Sequence, residues 1–467
     1  MSNRVKPIRE RLVEPLASTV EIVGKGLRFR RFFSVQDKDP LEMVQWERRS
    51  AVIRNQTGEV IFEQHGIEAP AFWSDMALNV VVSRYFRGHP GKPDRETSVR
   101  HLLSRVVDTI AAWGAEQGYF AAEEDEKVFR DELMHLVLHQ KASFNSPVWF
   151  NVGVEPAPQC SACFIVSVED TMESILHWYT QEGIIFKGGS GSGLNVSGLR
   201  SAREPLTGGG TASGPISFMK AADASAGVIK SGGKTRRAAK MVVLNVDHPD
   251  ILEFIRCKAE EEKKARILVN AGYRGSLEGE AYSTVAFQNS NHSVRVTDEF
   301  MEAVDAEGEW KTGFVVSGEV ADTYRARDIL EEISKAAHAC GDPGIQFDTV
   351  INRWHTCPET APISASNPCS EYMHVDDSAC NLASLRLTAF LDQEDRFQAD
   401  AFRHAVDIMI TAQEIIVDKA AYPTPAITKN SRAMRALGLG YADLGALIMA
   451  LGLPYDSDEG RTWASTI

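Results

Sequence analysis

The stretch SASNPCSEYMHVDDSACNLASL, residues 364–385, sets an amide, a thiol and a carboxylate at every second position: Asn367, Cys369 and Glu371. Side chains of an extended backbone alternate between faces, so these three point the same way. Pro368 cannot donate to a hydrogen-bonded ladder, and the segment therefore reads as a loop or finger rather than a central strand. It presents one thiol between a neutral hydrogen-bonding group and a general base. A second thiol, Cys380, follows eleven residues after the first. Taken alone, such a triplet more often means a loop with a buried cysteine and a solvated glutamate.

The remaining cysteines sharpen the choice. Cys160 and Cys163 form a C-x-x-C that leads into the apolar run FIVSV, a pattern that suits a redox pair or half of a zinc site. Tetrahedral zinc needs a second close pair of ligands. Cys369 and Cys380 are too far apart for that, Cys340 and Cys357 are isolated, and no metal site is expected. Two glycine-rich stretches invite a phosphate. KGGSGSGLN (187–195) reads as loop whose backbone amides could form an anion-binding concavity. IKSGGKTRRAAK (229–240) ends its glycines in GKT, but Val228 stands where a P-loop requires its first glycine, and the stretch follows a helix. Lys234, Arg236, Arg237 and Lys240 could still meet an anionic nucleotide, although a solvated basic loop is the commoner meaning.

The elements that must position these residues fall into three textures. Residues 1–150 are rich in helical periodicity, as in FWSDMALNVVVSRYF, ETSVRHLLSRVVDTIAAWGAEQGYF and EEDEKVFRDELMHLVLHQ. A short β piece is expected around AVIRNQTGEVIF, with NQTG as its turn. From 151 to about 365, strand-like runs (ACFIVSV, HSVRV, GFVVSG, GIQFDTVI) alternate with helices (MESILHWYTQEGIIF, GPISFMKAADASAGVIK, ILEFIRCKAEEEKKAR, RDILEEISKAAHAC). Asp247 is a plausible N-cap for the third helix, and Gly341 ends the fourth. This alternation argues for parallel β/α units. A long helix, FRHAVDIMITAQEIIVDKAA, follows the cysteine segment.

A net charge of −14 and a pI near 5.4 argue against a nucleic-acid binder or a partner for anionic membranes. The N-terminus has no signal-peptide core, and no apolar run reaches membrane-spanning length. Seven cysteines without a leader fit a reducing compartment, so a soluble cytoplasmic protein is expected.

NPCSEY followed by SACNLASL, with SFNSPVWFN, SACF and GGSGSGLN upstream in that order, closely resembles the catalytic subunit of ribonucleotide reductases. The nearest likeness is to the adenosylcobalamin-dependent class II enzymes, and it runs from about residue 40 to about 450. WERRSAVIRNQTGEVIF and WSDMALNVVVSRYF are similar to the N-terminal region of long bacterial class II members. The resemblance implies that Cys369 forms a thiyl radical that removes the 3′ hydrogen of the ribose, a reversible step because S–H and activated C–H bonds are similar in strength. Glu371 would take the 3′-hydroxyl proton and Asn367 would hydrogen-bond the same oxygen. Cys163 and Cys380 match the pair that reduces the 2′ position and becomes a disulfide, with Cys160 an extra.

By the same resemblance Ser146, Ala162, Cys163, Gly191 and the finger residues Asn367, Pro368, Cys369, Ser370 and Glu371 contact substrate. Asp170, Lys187 and Arg200 match a deoxynucleotide effector site, and the basic loop with Lys234 and Arg236 matches the loop between effector and substrate base. The implied fold is α/β: a helical domain over 1–150, then over 151–467 the first half, and the start of the second, of a ten-stranded α/β barrel around a cysteine finger. The second-half phosphate loop and a C-terminal cysteine pair are expected beyond residue 467, as in a truncated chain. Adenosylcobalamin is the implied cofactor, thioredoxin or a glutaredoxin-type dithiol the implied reductant, and a homodimer the implied assembly. A class I-type large subunit with a separate radical-generating partner, a non-catalytic nucleotide-binding remnant and a glycyl-radical enzyme are the alternatives.

Overall fold

The computed structural model describes residues 19–55, 57–229, 238–276 and 279–467, which fold as two compact units. The first takes in the chain up to Ser161 together with Asn381–Ala421 and Arg435–Ile467; the second is Ala162–Cys380 with Tyr422–Met434. The expected boundary near residue 150 follows chain order, whereas compaction returns the later segments 381–421 and 435–467 to the first unit.

In the first unit, Trp46–Arg54 pairs antiparallel with Val60–Pro70, the expected β piece extended at both ends. Its turn is held by Asn55, whose Oδ1 accepts from the N–H of Thr57 (3.0 Å) and of Glu59 (2.9 Å). A second hairpin, Val20–Val23 with Gly26–Phe29, adds strand beyond the β piece expected from the sequence. The expected helices form at Asp75–Arg84, Val99–Glu116, Glu123–Leu138 and Ala399–Lys419. Val99–Glu116 buries Leu102, Leu103, Val106, Val107 and Ile110, the i, i+3, i+4 stripe that drives an amphipathic helix onto a core. Glu132, fully buried, accepts from the backbone N–H of Phe32, Phe33 and Ser34, and its Oε2 lies 2.8 Å from His404 Nε2. Burial would raise this carboxyl, but hydrogen bonds from His404 and Ser34 more than reverse that and hold it down at about 2.

The second unit carries a parallel sheet in the order Gly344–Phe347, Ser290–Val296, Ala239–Asn245, Gly191–Asn195, Cys163–Ile165. Residues 378–380, the start of the strand Ser378–Arg386, add to its end antiparallel. Helices Met172–Lys187, Gly214–Val228, Ile251–Asn270 and Ala326–Cys340 connect the strands, as parallel pairing requires. The core lies between helices and sheet: Phe164, Leu194, Val242, Leu244, Val294 and Val296 pack with Trp178, Met219, Phe254 and Ile333. Strand side chains alternate, so the opposite face is set by Cys163, Gly191, Gly193, Asn195, Asn245, Asn291, Arg295 and Gln346.

Three local readings change. KGGSGSGLN contains the strand Gly191–Asn195 rather than a phosphate loop. GFVVSG is mostly turn, closing a hairpin of Glu309–Gly313 with Val320–Arg325. The third helix is capped at Asp250, not Asp247. Gly341 does end its helix, in the left-handed conformation at φ 89°. Among the described residues, no helix is long and apolar enough to cross a membrane.

Candidate active site

The finger begins as a two-residue antiparallel ladder, Ala365–Ser366 against Met373–His374. Between them the chain reverses: Asn367 N–H donates to Tyr372 O (3.2 Å), and Tyr372 N–H donates to Asn367 Oδ1 (2.9 Å). Ser370 N–H donates to Asn367 O (3.1 Å), and Ser370 sits in the left-handed region at φ 63°. The loop character expected from Pro368 is present. Asn367 and Pro368 are buried, whereas Cys369 and Glu371 are exposed at the tip.

Glycine makes room for this loop on the sheet. A Cβ built on Gly191 would lie 2.6 Å from Pro368 Cγ. One built on Gly193 would overlap the carbonyl oxygen of Ser366 and stand 2.8 Å from its carbon. The strand GSGLN forms despite the poor strand propensity of glycine because the finger backbone needs one bare face there. The alternation of Gly with Ser through 189–193 is the sequence signal for it.

Cys163 and Cys380 are direct partners across the antiparallel pair 163–165 and 378–380. Directly opposed residues of such a pair have Cα atoms about 4.5–5.5 Å apart, inside the span a disulfide needs. Both side chains are buried, and neither is in a disulfide. Asn367 Nδ2 donates to Cys163 Sγ at 2.9 Å, and Cys163 Sγ donates to Glu371 Oε1 at 3.5 Å. Burial, then the Glu371 carboxylate and Cys380, push the Cys163 thiol far above its ordinary value, with Asn367 pulling the other way. Burial, then Glu371, push Cys380 up to about 12. Two thiols kept protonated at neutral pH are hydrogen donors rather than nucleophiles. Cys160 belongs to the first unit, where its Sγ donates to Pro158 O at 3.5 Å.

The other expected residues scatter. Ser146, in the first unit, starts the helix Ser146–Asn151, and its hydroxyl lies 3.0 Å from Tyr85 OH. Ala162 N–H donates to Cys380 O (3.1 Å), and Ala162 O accepts from Gly191 N–H (2.9 Å), so its backbone stitches the two cysteine strands to the glycine strand. Asp170 accepts from Arg200 Nε at 2.5 Å. Lys187, exposed, lies at the far end of the helix that starts beside Asp170. Lys234 and Arg236 lie outside the described residues. Among the described residues no group of three His, Cys, Asp or Glu side chains could hold a metal ion. Residue types alone did not single out Arg295, Gln346, Ser366 and Asn291, which hold the finger from below.

A family model described as "Ribonucleotide reductase, barrel domain" matches residues 161–467. The chain belongs to the ribonucleotide reductase family. A second model, "Class II vitamin B12-dependent ribonucleotide reductase", matches residues 47–140 of this reductase chain. The "Vitamin B12-dependent ribonucleotide reductase" of Streptomyces coelicolor is 53% identical over 449 residues, covering 95% of this chain and 46% of that protein. The protein of the same name from Rhodopirellula baltica is 49% identical, over 93% of this chain and 45% of its own length. A "Vitamin B12-dependent ribonucleoside-diphosphate reductase" of Mycobacterium tuberculosis is 32% identical, over 84% of this chain and 52% of that protein. The reductase chain thus spans about half the length of the curated relatives it matches. The family resemblance carried by NPCSEY, SACF and GGSGSGLN is borne out.

Proposed function

We propose that this chain carries the radical and redox site of a class II ribonucleotide reductase, converting ribonucleotides to 2′-deoxyribonucleotides. The observation that carries the reading is the opposition of two buried thiols, Cys163 and Cys380, under a finger whose Asn367 and Glu371 both reach Cys163 Sγ. In this reading the Cys369 sulfur radical takes the 3′ hydrogen atom, and Glu371 accepts the 3′-hydroxyl proton. One thiol of the buried pair protonates the departing 2′-hydroxyl, which leaves as water. The pair together supplies two electrons and two protons and ends as a disulfide. Glu371 returns its proton to the 3′ oxygen, and the 3′ hydrogen returns from Cys369.

Adenosylcobalamin fits by its chemistry. The Cys369 thiol is exposed at the tip while Asn367 and Pro368 beneath it are buried, so a bulky group can approach the sulfur without entering the sheet. When bound, the cofactor supplies the carbon-centred radical that takes a hydrogen atom from a thiol, with Cys369 as the residue facing it. The class II model match favours this route over a separate radical-generating subunit. One relative's name specifies diphosphates, and the ribonucleoside diphosphate is the substrate we propose. A dithiol of thioredoxin type would re-reduce the pair, and a deoxynucleotide effector would bind near Asp170, Lys187 and Arg200. Exposed Met172, Leu176 and Ile184 on one helix support pairing with a second copy of the chain.

The test gives the full-length protein a ribonucleoside diphosphate, a dithiol and adenosylcobalamin, with no other protein present. Deoxynucleotide should form, and Cys369→Ala should abolish its formation while retaining nucleotide binding. Activity only after adding a metal-containing second subunit would refute the cofactor assignment. Turnover by Cys369→Ala would refute the site.

A further inference from the structure

The sheet face under the finger carries a buried polar chain that neither proton nor electron transfer uses. Arg295, on the strand Ser290–Val296, pairs with Asp348 and donates from Nη1 to Gln346 Oε1 at 3.1 Å. Gln346 lies directly beside Arg295 in the parallel register and donates from Nε2 to Ser366 Oγ at 2.8 Å. Ser366 Oγ donates to Asn367 O at 3.0 Å and stands 3.2 Å from Ser370 Oγ. Arg295 and Gln346 are each 3% exposed, Asn367 1% and Ser366 0%, so water does not compete for these bonds.

The chain has a direction. A guanidinium only donates, so Arg295 fixes the Gln346 amide with its oxygen toward the arginine and its NH₂ toward Ser366. Ser366 thereby accepts from Gln346, and its single proton is left for Asn367 O. That carbonyl also receives Ser370 N–H, which closes the tip around Cys369. Ser370 holds a left-handed φ of 63°, a conformation that an L side chain disfavours and that the surrounding hydrogen bonds must offset. Asn291, from the same strand as Arg295, donates from Nδ2 to Pro368 O at 2.8 Å, on the peptide immediately before Cys369. A buried polar network is costly where apolar side chains would pack, and full satisfaction of this one yields a specified geometry at the tip.

We infer that Gln346, oriented by Arg295 and acting through Ser366, is a positioning residue for the Cys369 thiol. The inference rests on Cys369 being the radical cysteine, and its test separates the two. In the full-length reductase, Gln346→Met removes both ends of the relay. Gln346→Glu keeps an acceptor and a charge partner for Arg295, so it folds even where the methionine variant does not. It cannot donate to Ser366, whose proton then turns away from Asn367 O. Both variants should lower kcat at least tenfold with nucleotide KM within threefold of wild type. Alkylation of Cys369 by iodoacetamide, read by peptide mapping, should change at least threefold in rate. The diamide-driven Cys163–Cys380 disulfide should form at the wild-type rate, since the sheet beneath is intact. A kcat within twofold of wild type in either folded variant would overturn the inference. So would a kcat loss matched by an equal loss of Cys163–Cys380 disulfide formation, because the sheet and not the tip would then have moved. Should wild type reduce no nucleotide, the function falls, and an unchanged alkylation rate would overturn the positioning role independently.

Discussion

Gly193→Ala adds one methyl group where the finger rests on the sheet. The new Cβ would stand 2.8 Å from the Ser366 carbonyl carbon and overlap its oxygen, against at least 3.4 Å for ordinary contact. The carbon alone demands a retreat of about 0.6 Å and the oxygen more, so the root of the finger shifts on the order of 1 Å. None of its neighbours is a pliable side-chain end: all are backbone atoms, of Ser366 and of Asn367. Overpacking of this kind costs about 1–3 kcal/mol of stability. Misplacing a reacting group by about 1 Å costs roughly 100-fold in rate. Gly183→Ala is the control. Among the described residues its Cβ would meet only Ile229 Cδ1, at 3.5 Å; the substitution lies within the helix Met172–Lys187 and should add about 0.5–1 kcal/mol. The assay is single-turnover deoxynucleotide formation by the full-length protein alongside thermal unfolding of both variants. A Gly193→Ala protein that turns over within threefold of wild type and unfolds at the same temperature would refute the steric argument.

In a single turnover without external reductant, Cys163 and Cys380 should form the disulfide while Cys160 remains free; a mapped Cys160–Cys163 disulfide would contradict the cross-strand pairing. The first unit should lose stability steadily from pH 7 to pH 3. Glu132, held at about 2, contributes stability that is complete above its unfolded value near 4.5 and is lost as pH falls toward 2. His135, pushed down to about 3 by burial and by neighbouring His139, stays neutral in the folded chain, so the unfolded state takes up its proton first and stability falls from about pH 6.5 downward. Each contributes on the order of 3 kcal/mol; melting temperatures that stay flat over this range would rule the pair out as the acid-labile element.

Part of this protein is written locally. Asn367, Cys369 and Glu371 declare themselves because their chemistry and spacing sit within five residues, and Pro368 excludes a central strand. The helices are legible because an apolar stripe repeats every three to four residues, as along Val99–Glu116, and Gly341 marks a helix end through a backbone angle other residues resist. Tertiary structure decided the rest. GSGLN became a strand because Cys163–Ile165 and Ala239–Asn245 pair with it on either side, and the finger leaves no space for a Cβ at Gly191 or Gly193, a demand made by residues far along the chain. Cys380 met Cys163 rather than another thiol because the strand Ser378–Arg386 pairs antiparallel in one register, and local sequence does not contain that register. Ser293 and Arg295 alternate with apolar partners in HSVRV, so their common face was readable, but their target was not. Arg295 became the orienting donor of the finger only when parallel pairing set Gln346 beside it. Propensity and periodicity act over a few residues, whereas a buried hydrogen bond depends on which distant backbone arrives opposite.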